Sequence, residues 1–95
     1  MERVLCETPA TGRKAVRIDR WKYDFVAEAI LSAVPDTEPG LFFKGLPTQV
    51  AKYLPEDKPI GSVGWYTTTV KLSLEVKGKL RRLAGVWPQR LVKVL

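Results

Sequence analysis

The stretch Gly64-Trp65-Tyr66-Thr67-Thr68-Thr69-Val70-Lys71-Leu72-Ser73-Leu74-Glu75-Val76-Lys77-Gly78-Lys79-Leu80-Arg81-Arg82 reads as a helix that stops abruptly and feeds a basic strand. Ser62 stands where a hydroxyl can accept a hydrogen bond from the free amides of a first turn, so the helix is expected to begin near Val63. Advancing 100° per residue from Trp65 brings Thr69, Leu72 and Val76 to within about 40° of it. That narrow seam is expected to face the core, with Trp65 at its head and Tyr66 and Ser73 beside it. Thr67, Thr68, Lys71 and Glu75 fall on the far side, where the helix is expected to meet solvent or a ligand. Leu74 lies almost opposite the seam, so either the helix is buried on two sides or Leu74, with Val70, forms a candidate protein-binding patch. Lys77-Gly78 closes the run with a basic last turn and a glycine able to take the left-handed C-terminal conformation.

Downstream, Leu80-Arg81-Arg82-Leu83 and Arg90-Leu91-Val92-Lys93-Val94-Leu95 flank Ala84-Gly85-Val86-Trp87-Pro88-Gln89, which predicts two strands joined by a glycine- and proline-bearing turn. Their register stays open, because Leu91 to Leu95 places apolar residues on both faces. Trp87 is assigned to a cap on the core in preference to the tip of the turn, and otherwise joins Val70 and Leu74 as a protein-contact candidate.

Upstream, Asp19 can cap a helix whose stripe is Tyr23, Val26, Ala27, Ile30, Leu31 and Val34, and Val34-Pro35 stops it. Leu41-Phe42-Phe43 is aromatic and too short for a helix, so it reads as one short strand. Pro47 fits the first turn of a second helix running from Thr48 to Leu54, which Pro55 ends. The segment before Asp19 is β-like: Val4-Leu5-Cys6, turn chemistry over Thr8-Pro9-Ala10-Thr11-Gly12, then alternating Ala15-Val16-Arg17-Ile18, expected as a hairpin or arm over the core.

The expectation is one α+β domain over residues 1–95, with a β-like arm (1–19), a helical core (20–78) and a terminal hairpin (79–95). The order arm, helix, strand, helix, helix, hairpin resembles a winged helix-turn-helix. A Trp-led third helix, a Leu-x-Leu-Glu middle and a Lys-Gly stop before Leu-Arg-Arg carry the resemblance. The chain is similar to the N-terminal winged-helix modules of Mrr-type restriction systems. It is more similar to a family of small bacterial proteins with a Gly-Trp-Trp…Leu-x-Leu-Glu-x-Lys-Gly pattern, in which Tyr66 here replaces the second Trp. That family brings no activity with it, and a shared fold does not fix function.

Charge adds a direction. Residues 1–70 carry nine basic and nine acidic side chains; residues 71–95 carry seven basic ones against Glu75 alone, so the whole excess of +6 sits in the last quarter. A localised positive field points to a polyanion. A helix-turn-helix lays its last helix in the major groove, and a wing meets phosphates or the minor groove. The resemblance therefore implies double-stranded DNA as partner, with Thr67, Thr68 and Lys71 at the groove and Lys79, Arg81, Arg82 and Arg90 on phosphates. No Arg, Asn or Gln stands on the helix face to make bidentate base contacts, so weak sequence discrimination is expected. Four neutralised phosphates would give a salt slope of roughly −3.6. The alternative is a protein-interaction or homodimerising module that ignores DNA.

Other classes find little support. The chain has no His and one Cys, and its carboxylates come as loop pairs, Asp36/Glu38 and Glu56/Asp57, so neither catalysis nor a transition-metal site is expected, and no cofactor or small-molecule substrate is evident. No apolar run approaches the roughly 18 residues of a membrane span, and with the single Cys6 this reads as a cytoplasmic protein.

Overall fold

Asp19 closes a strand and hands the chain directly to a helix. In the computed structural model, which describes residues 2–9 and 14–95, Arg3–Cys6 (β1) pairs antiparallel with Val16–Asp19 (β2), and Arg20–Ala33 (α1) follows without a linker. Val4, Cys6 and Ile18 point inward and are buried, the period-two pattern of a hairpin lying on a core. The Asp19 side chain does not cap α1 as expected; it lies 3.8 Å from Arg3, its cross-strand partner. The helix entry is held instead by the Arg20 amide, which donates to the Glu2 carbonyl at 2.9 Å, and by an Arg20–Glu2 ion pair. The turn expected at Ala10-Thr11-Gly12 lies outside the described residues.

Helix α1 buries Tyr23, Val26 and Ile30 of the expected stripe, leaves Ala27 and Leu31 half-buried, buries Ala29 in addition, and ends before Pro35 as the proline predicts. Leu41–Phe42 (β3) is shorter than expected, because Phe43 begins a single 3-10 turn, Phe43–Gly45. The second helix, Leu46–Ala51 (α2), starts and stops earlier than its sequence signals, with Pro47 in its first turn. The third, Val63–Val76 (α3), has the predicted limits: Ser62 Oγ accepts from the Trp65 amide at 3.2 Å, and Gly78 at φ +75° lets Lys79 donate to the Leu74 carbonyl at 2.9 Å.

Leu80–Arg82 (β4) and Arg90–Lys93 (β5) form the expected antiparallel hairpin. The short strand expected at Leu41 joins this sheet, a pairing that the sequence did not reveal: β3 pairs with the far edge of β5 and the order is β3-β5-β4. The open question of register closes with it. Leu91 faces both Leu41 and Arg82, and Leu91 and Val92 are each buried because the central strand is covered on both faces. The second cover is the loop after α1: Lys93 donates its amide to the Pro35 carbonyl at 2.8 Å, and Gly40, at φ +71°, comes so close that a Cβ there would sit 2.2 Å from the Leu91 oxygen. The chain is thus a mixed α+β domain in which α1 packs on α2 and α3 and two antiparallel sheets flank the helices.

One expectation is reversed. Helix α3 turns Thr67, Val70, Lys71, Ser73 and Leu74 inward, while Trp65 and Val76 stay 49% and 44% exposed. Two faces of this helix obey the same three-and-four spacing, and the one that lost on hydropathy is the core face. Two of its polar members find partners there: Ser73 Oγ lies 3.3 Å from Tyr23 Oη, and Lys71 meets Glu75 one turn along the helix and the Phe43 ring, while the buried Thr67 hydroxyl has no hydrogen-bond partner among the described residues. Trp65 is therefore not a core residue, and Val70 and Leu74 are core rather than a partner patch.

Candidate nucleic-acid interface

The candidate surface is built on the β4–β5 hairpin. Below its turn, Leu83 is buried and donates its amide to the Arg90 carbonyl at 3.0 Å. Beside it, the Phe43 amide donates to the Gln89 carbonyl at 2.9 Å, so the turn is pinned from β4 and from the segment after β3. Between these anchors Val86 and Trp87 project outward, Trp87 with 88% of its surface exposed. This overturns the assignment of Trp87 to the core. Its position inside a turn was the available signal, because turns run over the surface whatever residue they carry.

The seven sequence-nominated residues fare differently. Lys79, Arg81 and Arg82 come together along the exposed edge strand β4 and the residue before it. Lys79 and Arg81 make no side-chain hydrogen bond or ion pair with any described residue, whereas Arg82 Nε lies 3.5 Å from Glu75 Oε1. Arg90 stands on the other strand with its guanidinium carbon 3.5 Å from the centre of the Phe42 ring, and it donates to the Pro39 carbonyl at 3.2 Å. Thr68 is exposed on α3, away from this cluster. Thr67 and Lys71 are 0% and 2% exposed, so neither faces a groove.

Lys71 is instead one end of a buried relay of charge. Its Nζ lies 3.0 Å from Glu75 Oε2 and 4.6 Å from the centre of the Phe43 ring, and Glu75 is shared with Arg82. Burial lowers the Lys71 pKa below the usual lysine value, and the Glu75 carboxylate opposes that shift. Two further basic groups of the tail are also tied: Lys77 donates to Tyr23 Oη at 2.9 Å, and Lys93 donates to the Leu31 carbonyl at 3.1 Å. The positive charge that reads as a uniform tail in the sequence narrows, as freely presented charge, to Lys79 just before β4 and Arg81 on it.

The outward face of α3 carries no cation. Trp65, Thr69 and Leu72 line a groove of about 130 Å³ against Cys6, Val16 and the pair Glu7 and Lys14 from the N-terminal hairpin. Cys6 itself is buried, and burial raises its thiol pKa against the opposing influence of Lys77 and Ser73, so its reactive thiolate is disfavoured. Beside the β4–β5 turn, Phe42, Lys44, Gly45 and Pro88 enclose an open apolar hollow of about 380 Å³. Among the described residues no helix is long and apolar enough to cross a membrane.

No curated protein and no solved structure matches the chain. One family model does, over residues 3–91, which takes in the N-terminal strand pair, all three helices, β3, β4 and the first half of β5. The chain therefore belongs to that family, a family of unknown function designated DUF6958.

Proposed function

We propose that this is a winged-helix protein that binds double-stranded DNA through its wing, with little sequence discrimination. The order helix, strand, helix, helix, strand, strand, with β5 between β3 and β4, supports the winged-helix assignment. The observation that carries the binding mode is the free basic edge: Lys79 and Arg81 are exposed and unpaired among the described residues, with Arg82 beside them. The outward face of α3 offers only Thr68 and Thr69 among apolar neighbours, so the helix supplies contact and the wing supplies charge. With Arg90 held against Phe42 and Arg82 against Glu75, about two phosphates are neutralised by Lys79 and Arg81, and log K is expected to fall with log salt at a slope of roughly −1.8.

Fluorescence anisotropy with a labelled random-sequence duplex at two salt concentrations tests this. Salt-dependent binding that weakens and flattens in K79A/R81A supports it. Absence of salt-sensitive binding at micromolar DNA refutes it.

A second reading rests on a different surface. Val16, Trp65, Leu72 and Val76 leave an apolar stripe whose groove is rimmed by one anion and one cation, Glu7 and Lys14. A second copy related by a two-fold axis could pair those charges reciprocally and cover the stripe. Light scattering separates the readings: a stable dimer that ignores duplex favours this one.

A further inference from the structure

We propose that Trp87 is a wedge with which the wing opens a base step of duplex DNA. The proposal rests on the duplex-binding reading and adds to it a bending activity and the residue responsible.

Trp87 is 88% exposed, and its neighbour Val86 is 40% exposed. An indole held in water forgoes the burial that normally makes Trp a core residue, so a side chain placed this way is set up for a surface the isolated molecule lacks. Its mount is firm. The bonds from Leu83 to Arg90 and from Phe43 to Gln89 fix the turn at its base, and the buried Leu83 anchors the strand beneath. The ring therefore projects from a braced support rather than from a loose loop.

What surrounds the ring selects the partner. Arg81 and Arg82 stand on β4, Arg90 on β5, and Lys44 borders the hollow beside Pro88. Cations thus stand on both strands that carry the turn: Arg81 on β4 is free of side-chain partners among the described residues, and on the β5 side Arg90 lies over Phe42 with Lys44 beside Pro88. A base step of a duplex presents the complementary arrangement, an apolar stack flanked by a phosphate strand on either side, and apolar wedges that enter such steps kink the helix by roughly 20–90°. Single-strand binding needs successive stacking platforms along a track. Here Phe42, which shares the hollow beside Pro88, already has the Arg90 guanidinium against its ring, which leaves Trp87 as the free platform of this wing.

The test uses the full chain and a duplex of about 25 base pairs carrying a central TA step, the kind of step most easily unstacked. Donor and acceptor dyes at its ends report bending, and anisotropy reports affinity. Wild type is expected to raise transfer efficiency on binding. W87A is expected to bind with an unchanged salt slope, to lose roughly tenfold in affinity, the scale of one stacked aromatic, and to leave the duplex straight. W87F is expected to retain part of the bend, and K79A/R81A to weaken binding while its complexes remain bent.

The exposed ring makes no core contact, so W87A is expected to melt with wild type, which a circular dichroism scan verifies. If wild type binds but does not bend the duplex, or W87A bends it equally, the wedge is wrong while duplex binding stands. If wild type shows no salt-sensitive binding, both readings fall. A wild-type dimer that W87A dissolves would assign the ring to a contact between copies and overturn the wedge.

Discussion

Replacing Gly40 by Ala puts one methyl group where the loop after α1 crosses the central strand. The Cβ would lie 2.2 Å from the Leu91 carbonyl oxygen and 3.1 Å from Val92 Cγ1, so the oxygen contact is about 1 Å too short for van der Waals packing. Leu91 is paired to Leu41 on one side and to Arg82 on the other, so β5 cannot retreat without breaking a ladder. The loop must lift. Lifting loosens the bond from the Gly40 amide to the Thr37 carbonyl and uncovers Val92, now 2% exposed. A non-glycine residue at φ +71° costs about 1 kcal/mol, and exposing a valine costs up to about 2 more, with a lost hydrogen bond adding about 1.

The expected loss for G40A is therefore about 3–4 kcal/mol, or roughly 12–30 °C in Tm for a domain of this size. Urea unfolding followed by circular dichroism measures it. Gly78 supplies the control: its φ is +75°, yet nothing lies within 4 Å of where a Cβ would stand, so G78A should lose only about 1 kcal/mol. Equal losses for the two variants would show that the close approach to β5 contributes nothing and would refute the reasoning.

Other outcomes follow from the inverted face of α3. L74A is expected to cost about 2–5 kcal/mol and W65S less than about 1, measured by urea titration; the opposite order would restore Trp65 to the core. E75Q should cost about 3–5 kcal/mol because it strands Lys71 with its charge, while K71M should change stability by under about 1 because Glu75 keeps Arg82. Lys71 also predicts a pH dependence. Its folded pKa is lowered by burial, so the unfolded chain binds more protons between that value and the free-lysine value of about 10.4, and stability rises with pH through that alkaline window. Urea titrations from neutral to alkaline pH should show this rise in wild type and its loss in K71M.

Local signals in this sequence were legible where a residue acts on the backbone within a turn of itself, although Asp19, read the same way, pairs with Arg3 instead of capping α1. Ser62 capping α3, Gly78 ending it and Pro35 stopping α1 each work within one turn, so each can be read from spacing alone. The phase of α3 could not be read that way, since Thr67 and Lys71 occupy the core face and only Glu75, Arg82 and Phe43 make a buried lysine tolerable there. The pairing of β3 with β5 joins residues nearly fifty positions apart, beyond any periodic signal. For the interface, the basic strand was visible as composition, but not that Arg90 is held by Phe42 or that Trp87 projects. Hydropathy sends every Trp inward, and a turn pinned by distant anchors can send one out.

The sheet order concentrates risk in one strand. Strands β3 and β4 share no pairing with each other, and within the sheet each is held only through β5. Leu91 pairs with Leu41 and Arg82 at once, so a proline at that position would release both neighbours together and uncover the buried Leu80 and Leu83.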